Sequence, residues 1–380
     1  MAFGLYVHFP FCKNKCSYCD FYKELHSVPQ EKEFYEALKI ETELVGEHQA
    51  PLDNEIGTVF IGGGTPTLTE VDFFADWLET LKKYFVFKDN LEFSVENNPE
   101  FVTLDKLRAF RQLGVNRPVF GVQSFNEKLL KVLRRKHQPH AVYRAVYFTN
   151  VLGFANFGVD LIFGLPGQTA KMLSADIDQL LELEPPHISF YQLTVEPGTD
   201  LAERVEKGRL KMPDQELTLA LYRGGCAQMA DSGYHRYEVS SFAREGFECR
   251  HNLGYWEGRE YIGLGPSAHS FVAGQRFSNE ADVGCYIDSL KNRRERPLIT
   301  DESSFEERMT EAIMLGLRTS QGIDRSRFAS RFGVELEKKL DREQYRIFIE
   351  SGHLLSERNT VRLSDEGICL ADEITRRLLK

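Results

Sequence analysis

The sequence predicts an α/β fold, in which an open, partial (β/α)6 barrel is followed by an α+β extension and a winged-helix-like C-terminal module. Three observations support this prediction. Short β-branched and aromatic runs alternate with helix-like stretches over the first 200 residues, and such alternation produces parallel strands joined by right-handed crossovers. After residue 197 the chain becomes rich in Gly, Tyr and short strands. The last part of the chain combines helices with a hairpin.

The barrel is predicted from six strand–helix repeats, which are too few for a closed eightfold barrel, so we expect it to be open. A doubly wound sheet is the alternative. The strands are predicted at residues 5–9, 57–61, 91–97, 115–123, 156–163 and 187–193. The helices between them are predicted at residues 31–47, 69–85, 103–113, 126–133, 140–152 and 169–183.

The remainder of the chain is predicted to form two further domains. A helix at 213–232 opens the extension, and short strands follow over 233–300. In the terminal module, the pattern predicts helices at 305–318, 324–331 and 335–350, a hairpin at 353–365 and a last helix. The predicted domains are therefore the barrel at 1–200, the extension at 201–304 and the terminal module at 305–380.

Composition excludes several classes of protein. The 380 residues carry 47 Lys and Arg against 57 Asp and Glu, a net charge of −10, which disfavours nucleic acid as a partner. The terminal module holds fourteen basic and fourteen acidic residues, so we expect it to pack rather than to bind DNA. Without a membrane-length apolar run or a signal-like start, the chain is predicted to be cytoplasmic. The basic run Lys291–Arg296 is interpreted as a solvated face, with anionic lipid contact as the alternative.

Three of the seven cysteines lie close together near the start of the chain, at positions 12, 16 and 19. Thiolates bind soft metals, and these spacings let one loop hold a single 4Fe–4S cluster with one iron left open. A structural zinc would need a fourth ligand from a second knuckle. Unlinked or zinc-binding thiols are the alternative. Three other cysteines are predicted to fill core space: Cys226, Cys285 and Cys369.

Polar and Gly-rich residues follow the predicted strands at one rim. Gly62–Pro66 follows the second strand, where missing side chains let backbone amides approach a ligand. Glu96 and Gln123 end the third and fourth strands, and Asp160 lies within the fifth. Because active sites of β/α barrels lie at the carboxyl ends of the strands, these features predict a ligand site there.

The cysteine loop also carries a family resemblance. Residues 6–19 read Tyr6-x-His8-x-Pro10-Phe11-Cys12-xxx-Cys16-xx-Cys19, which resembles the signature of radical S-adenosylmethionine proteins. With GGGTP at 62–66 and GVQSF at 121–125, the chain resembles the branch that contains oxygen-independent coproporphyrinogen III oxidase, over nearly its whole length. The resemblance implies a 4Fe–4S cluster on the three cysteines. It also implies S-adenosylmethionine on the open iron, cleaved reductively to a 5′-deoxyadenosyl radical.

The same resemblance implies a set of cofactor-binding residues. Tyr6 would contact the cofactor beside the cluster, and Gly63, Gly64 and Thr65 would meet its methionine end. The positions that match binding of one or a second S-adenosylmethionine in the decarboxylase are Glu96, Gln123, Arg135 and Asp160. A solvated helix residue is the alternative interpretation of Arg135.

Two features depart from the decarboxylase pattern. The decarboxylase has a fourth cysteine two residues after the triad, where this chain has Phe21. A phenyl ring cannot replace a thiol in redox or hydrogen-transfer chemistry, so we expect no coproporphyrinogen oxidase activity. The second feature, His251–Trp256, reads HNLGYW and resembles the HNxxYW segment of the HemW family of haem chaperones. His251 is the candidate haem ligand and Cys249 a second one, and a packed surface corner is the alternative.

The family resemblance implies a haem chaperone that transfers haem to membrane haem proteins, in porphyrin metabolism. Its implied partners are haem, haem-accepting respiratory membrane proteins and an electron or haem donor, and it allows for a homodimer and transient membrane contact. An oxygen-independent coproporphyrinogen III oxidase is the alternative function. A haem or DNA sensor that uses the winged helix is a third.

Overall fold

The computed structural model describes residues 2–48, 55–296, 298–301 and 303–379, and the predicted α/β fold is confirmed. The strands of the first 200 residues are Phe3–Phe9 (β1), Phe11–Cys12 (β2), Glu24–Leu25 (β3), Glu55–Gly63 (β4), Val86–Asn97 (β5), Arg117–Gln123 (β6), Gly158–Phe163 (β7) and His187–Gln192 (β8). The helices among them are Val28–His48 (α1), Val71–Tyr84 (α2), Leu104–Gln112 (α3), Glu127–Val132 (α4), Pro139–Val151 (α5) and Ala170–Glu182 (α6).

Six of these strands form the predicted parallel array. β1, β4, β5, β6, β7 and β8 are neighbours in that order, and each pair is parallel. Each helical connection returns the chain to the same end of the sheet, so the carboxyl ends of all six strands share one rim. Among the described residues, the two outermost strands of the sheet do not pair with each other, so the barrel is open.

Aromatic side chains fill the layer between the sheet and the helices that cover it. The rings of Phe74 on α2 and Phe110 on α3 meet edge to face at 5.3 Å, and Phe93 of β5 packs against Phe74. Trp77 is fully buried and its indole N–H donates to Thr42 at 3.0 Å. Each fully buried side chain of this size contributes about 1.5–3 kcal/mol, so this layer holds the helices on the sheet.

The extension joins the same sheet and does not form a separate layer. Its helices are Asp200–Glu206 (α7), Gln215–Asp231 (α8), Arg250–Trp256 (α9) and Val283–Asp288 (α10), with a π-helical turn at Ser289–Arg293. Its strands are His235–Glu238 (β9), Ser241–Ala243 (β10), Tyr261–Leu264 (β11), His269–Val272 (β12), Gln275–Asn279 (β13) and Leu298–Asp301 (β14). β10 and β9 extend the edge beyond β8, whereas β11 to β14 extend the edge beyond β1.

Helix α9 is the segment that crosses between these two edges. The chain leaves the sheet after β10, next to β8, and returns as β11, which pairs in parallel with β1. On the way, α9 packs against the amino-terminal parts of the barrel strands: His251 contacts Thr58 of β4 and lies against Gly4 of β1. The predicted haem-binding segment therefore closes one end of the open barrel.

The terminal module contains Phe305–Gly316 (α11), Ile323–Asp324 (β15), Arg325–Phe332 (α12), Arg342–Glu350 (α13), Leu354–Ser356 (β16), Thr360–Leu363 (β17), Asp365–Ile368 (α14) and Ala371–Leu378 (α15). The predicted hairpin is present as β16 and β17. The single helix predicted at 335–350 is wrong: a short 3-10 turn at Leu336–Lys338 comes first, and α13 begins only after Asp341. The carboxylate of Asp341 caps α13, because it accepts hydrogen bonds from the amides of Glu343 and Gln344.

Two further predictions need correction. Cys285 was expected to fill core space, but it is exposed at the start of α10, where the neighbouring residues Val283 and Tyr286 face the core instead. The basic run Lys291–Arg296 is not simply a solvated face. Arg296 is buried and pairs with the buried carboxylate of Glu41 at 2.9 Å, so the run attaches the extension to α1.

Among the described residues, no helix is both long enough and apolar enough to cross a membrane.

Candidate functional site

The interior of the open barrel contains a cavity of about 780 Å³. It runs from the cysteine loop at the carboxyl ends of the strands to α9 at the other end. Most of the residues predicted from the sequence line it: Cys12, Cys16, Cys19, Gly63, Gly64, Glu96, Gln123, Arg135 and Asp160. Tyr6, Thr65 and His251 lie behind its wall. Volumes of this size are typical of cofactor sites, ~300–1,000 Å³.

The three cysteines of the loop are free thiols. Burial raises the pKa of Cys12 to about 11, with a hydrogen bond from Thr65 Oγ1 at 3.7 Å acting in the opposite direction. Burial also raises the pKa of Cys19, against the opposing charge of Lys23. Thiolates form at such buried positions when a metal supplies the compensating positive charge. The donor set of three soft sulfur atoms facing one cavity therefore fits an iron–sulfur cluster.

Hydrogen bonds from other segments of the chain hold the cysteine loop in place. The amide of Ser17 donates to the carbonyl of Leu133 at 3.0 Å, and the amide of Leu201 donates to the carbonyl of Ser17 at 2.8 Å. One guanidinium nitrogen of Arg135 donates to Cys16 Sγ at 3.7 Å, and the other to the carbonyl of Gly121. The loop is therefore positioned by residues that bear no thiol. In the part of the chain that the structure describes, no three His, Cys, Asp or Glu side chains form a group suited to a single metal ion.

The Gly-rich turn at the end of β4 packs directly against β1 and the start of the cysteine loop. A Cβ on Gly64 would lie 2.4 Å from the carbonyl oxygen of Phe11, and one on Gly63 would lie 2.6 Å from the ring of His8. Gly63 also has a φ of +100°, a conformation that favours glycine. Its amide donates to Glu96 at 3.2 Å. The turn needs glycine because loop and strand approach each other this closely.

Two carboxyl groups lie inside the cavity with raised pKa values. Burial, reinforced by the neighbouring charge of Asp160, raises the pKa of Glu96 to about 8. Burial likewise raises the pKa of Asp160 to about 6, although Ser189, Arg117 and Arg135 favour its ionised form. Raised carboxyl pKa values in a cleft are typical of ligand sites, because a cationic ligand supplies the charge that the protein lacks.

Gln123 is held in an uncommon backbone conformation at the rim. Its φ is +69°, which costs on the order of 1–3 kcal/mol for a residue other than glycine. Its side-chain oxygen accepts a hydrogen bond from the hydroxyl of Tyr191 at 3.1 Å. Strain of this kind is concentrated at binding and catalytic sites, so the conformation of Gln123 supports its place in a ligand site.

Tyr6 and Thr65 support the cavity from behind. The hydroxyl of Tyr6 hydrogen bonds with Nδ1 of His8 at 3.1 Å, and its ring stacks on Phe60, which does line the cavity. Thr65 is buried and contacts Cys12, and its Oγ1 accepts a hydrogen bond from Asn98 at 3.0 Å. Both residues therefore touch the site through one intervening side chain.

Helix α9 presents Asn252, Tyr255 and Trp256 to the cavity, whereas His251 points away from it. Nδ1 of His251 hydrogen bonds with Thr58 at 2.8 Å and Nε2 with the hydroxyl of Tyr255 at 2.7 Å. Burial, with the charge of Arg117, lowers the pKa of His251 to about 3, so the imidazole is neutral. Ligation of haem iron by His251 stays a prediction, and it requires one of these hydrogen bonds to open.

The second candidate ligand, Cys249, is also buried. Its Sγ lies 3.7 Å from a carboxylate oxygen of Glu92, and burial raises its pKa to about 12. The same carboxylate accepts hydrogen bonds from the backbone amides of Arg250 and His251, each at 3.0 Å. Glu92 thus holds the start of α9 against β5, and Cys249 packs beside it.

Sequence reasoning missed four residues of β6 and β8 whose side chains face the barrel interior. Arg117, His187, Ser189 and Tyr191 line the cavity, because alternate residues of β6 and β8 face the barrel interior. Arg117 is fully buried and its Nε has no hydrogen-bond partner among the described residues. The sequence contained a signal for these residues. Arg117 lies an even number of residues from Gln123 on β6, and His187, Ser189 and Tyr191 alternate along β8, so each set faces one side of its strand.

Nearly the whole chain is similar to known proteins. Residues 6–180 match the Radical SAM superfamily, and residues 304–370 match the HemN C-terminal domain. The chain is 35% identical to Heme chaperone HemW of Bacillus subtilis (strain 168), covering 97% of each chain. It is 33% identical to Heme chaperone HemW of Lactococcus lactis, covering 98% of this chain and 96% of that one.

A relative named Radical S-adenosyl methionine domain-containing protein 1, mitochondrial, from Danio rerio is 34% identical and covers 99% of this chain and 86% of its own length. Among solved structures, coproporphyrinogen III oxidase (HemN) from Escherichia coli superposes with a TM-score of 0.85 at 21% identity, covering 99% of this chain and 89% of that one. That similarity establishes the shared fold, and the sequence relatives confirm the predicted family. The chain belongs to the HemW family of the radical S-adenosylmethionine superfamily.

Proposed function

We propose that this chain is a haem chaperone, which binds haem and transfers it to membrane haem proteins. The observation that carries the proposal is the position of α9, whose HNxxYW segment forms a wall of the cavity that also contains Cys12, Cys16 and Cys19. The full-length relatives named Heme chaperone HemW support the same function. The chain itself would act in the cytoplasm and deliver haem to respiratory membrane proteins.

Three cysteines and the residues around the rim would hold the cofactors. Cys12, Cys16 and Cys19 would bind a 4Fe–4S cluster, which supplies an electron to S-adenosylmethionine when both are present. The turn at Gly63 and Gly64, which packs against the cysteine loop and lines the cavity, would meet the methionine end of the cofactor. Glu96, Gln123, Arg135 and Asp160 would orient it through hydrogen bonds and charge. In this role the cofactors serve assembly, dimerisation or gated release of haem.

S-adenosylmethionine binding should tighten as the pH rises between about 6 and 8, where Asp160 and Glu96 lose their protons. The sulfonium favours ionised carboxylates, so it lowers the pKa of Glu96 on binding, and a proton is released. Affinity then rises with pH by up to about tenfold per unit for one released proton. Isothermal titration in two buffers of different ionisation enthalpy measures both quantities.

Glu96→Gln should remove this pH dependence between about 7 and 8, while Glu196→Gln, a change to another carboxyl group of the same cavity, should retain it. Affinity that falls as the pH rises, or proton uptake on binding, would contradict the assignment of Glu96.

Phe21 argues against decarboxylation. Its side chain lies at the cavity and is 59% exposed, so no thiol is available at the position where the decarboxylase has its fourth cysteine. We expect the anaerobic, reconstituted chain with S-adenosylmethionine and a reductant to form no protoporphyrinogen from coproporphyrinogen. Chromatography of the porphyrin products measures this, and a catalytic yield of protoporphyrinogen would establish the enzymatic alternative instead.

His251→Ala should weaken haem binding at least tenfold and shift the Soret band, because the substitution removes the proposed axial ligand. A spectrophotometric haem titration of the purified chain measures both. The matched control is His140→Ala, which changes an exposed histidine of α5 that does not line the barrel cavity. An unchanged affinity and Soret spectrum in a His251→Ala protein of normal thermal stability would exclude His251 as the ligand.

A further inference from the structure

A second cavity of about 560 Å³ lies between α9 and the terminal module. Tyr255, Trp256 and Leu315 line both this cavity and the barrel cavity, so α9 and α11 separate the two. The far wall is formed by α12, to which the largely buried Phe328 and Phe332 contribute. A ligand in this second cavity would touch the HNxxYW helix on the side away from the cysteines.

Not all of the arginines that line the second cavity form ion pairs with carboxylates. Among its five arginines, Arg276 pairs with Glu311 at 2.6 Å, and Arg259 pairs with Glu257 at 2.5 Å. A carboxylate oxygen of the same Glu257 also lies 3.9 Å from the guanidinium of a third arginine, Arg327.

The other two arginines of the cavity, Arg308 and Arg331, form no ion pair with any carboxylate of the described residues. Arg308 donates only to the backbone carbonyls of Gly274 and Ser303. Burial, together with the charges of Arg327 and Arg308, lowers the pKa of Arg331, while the charge of Glu311 acts in the opposite direction. The cavity therefore has two guanidinium groups with which no carboxylate of the described residues pairs directly, an arrangement that an anionic ligand would complete.

The apolar part of the cavity is aromatic. Phe271, Phe328 and Phe332 line it together with Trp256 and Tyr255. The guanidinium of Arg331 lies over the ring of Phe332 at 5.0 Å. A guanidinium held over a ring keeps its N–H edge available for a carboxylate. Aromatic side chains beside two guanidinium groups that have no direct ion-pair partner are suited to an apolar ring ligand that carries two carboxylates.

We propose that the cavity between α9 and the terminal module binds the porphyrin macrocycle, with Arg308 and Arg331 binding its two carboxylates. The proposal rests on the haem-chaperone function and adds the place where the ring is held. Because His251 does not line this cavity, ring binding here does not depend on His251 as the iron ligand. Trp256 would then contact the ring from the α9 side, and Phe328 from the α12 side. The terminal module, which has no net charge, thereby acquires a ligand-binding role in addition to packing.

The test is a set of titrations of the full-length chain with haemin, iron-free protoporphyrin IX and protoporphyrin IX dimethyl ester. Each charge-assisted contact should be worth about tenfold, so Arg308→Gln and Arg331→Gln should each weaken binding of protoporphyrin IX about tenfold, and the double variant about 100-fold. The dimethyl ester lacks both charges, so it should bind the unmodified chain more weakly and be insensitive to the double variant. This coupling identifies the carboxylates as the groups recognised.

Two controls keep the test independent of folding. Arg346→Gln with Arg376→Gln removes two charges from exposed pairs of the same module, and it should leave porphyrin binding unchanged. Ala312→Trp fills the cavity without changing charge, and it should weaken binding of protoporphyrin IX and its ester alike.

Porphyrin binding that the Arg308→Gln/Arg331→Gln and Ala312→Trp variants leave unchanged would overturn this site and leave the chaperone function standing. An unmodified chain that binds no porphyrin would overturn both.

Discussion

We expect that replacing Cys12, Cys16 or Cys19 with Ala abolishes the proposed iron–sulfur cluster, so that the iron content after anaerobic reconstitution falls from about four atoms per chain to near zero. The three thiols are the free cysteines that line the barrel cavity, and removal of one ligand leaves only two for a four-iron cluster. Iron analysis, together with the visible absorption of the reconstituted protein, measures the loss.

The folded chain should survive these substitutions, because the loop is held by Ser17, Leu133 and Leu201 through backbone hydrogen bonds that involve no thiol. The matched control is Cys285→Ala, which changes an exposed cysteine of the extension and should leave the iron content unchanged. Full iron content in Cys16→Ala, or equal loss in the Cys285→Ala control, would refute the triad as the ligand set.

Replacing Glu41 with Leu is expected to lower the free energy of unfolding by about 3–5 kcal/mol, since it removes a buried carboxylate from its ion pair with Arg296 and from the hydrogen bonds around it. Glu41 is fully buried in α1. Its carboxylate accepts hydrogen bonds from Arg296 Nε at 2.9 Å, Asn279 Nδ2 at 2.6 Å and the Tyr286 hydroxyl at 2.6 Å. The amide of Gly265 adds a fourth at 2.8 Å.

Denaturant unfolding of the full-length chain measures this loss. Lys39→Ala breaks an exposed ion pair of the same helix, with Asp76, and should change stability by no more than about 0.5 kcal/mol. Combining Glu41→Leu with Arg296→Leu should recover part of the loss, because the buried charge that Glu41 balanced is removed as well. A loss below about 1 kcal/mol in Glu41→Leu would show that the network does not hold the extension on the barrel.

The barrel strands could be predicted closely because their signal is local. The run at 187–193, for example, is β-branched and aromatic and becomes His187–Gln192. The cysteine loop and its Gly-rich turn were equally visible, since both are short motifs. The family followed from the same motifs and is confirmed.

What sequence reasoning missed depends on contacts between distant parts of the chain. Nothing near Arg296 indicates that it would reach Glu41 on another helix, so a solvated face was the natural expectation. Arg117 and His187 were missed because the predicted site lies at the carboxyl ends of the strands, whereas these two residues begin β6 and β8 and face the interior near its other end. The break before α13 depended on one capping carboxylate within an otherwise helical pattern.

The crossing of the chain from β10 to β11 has a consequence for synthesis. Of the described strands, β1 is synthesised before the others, yet one of its two neighbours, β11, consists of residues 261–264. Until those residues emerge, one edge of β1 has unpaired amides and carbonyls, and such edges invite association with other chains. During that interval α9 cannot yet close the barrel either, so the cysteine loop at its opposite end is built before the interior is sealed. Cluster insertion into a nascent chain would therefore meet an interior that is still open at the amino-terminal end of its strands.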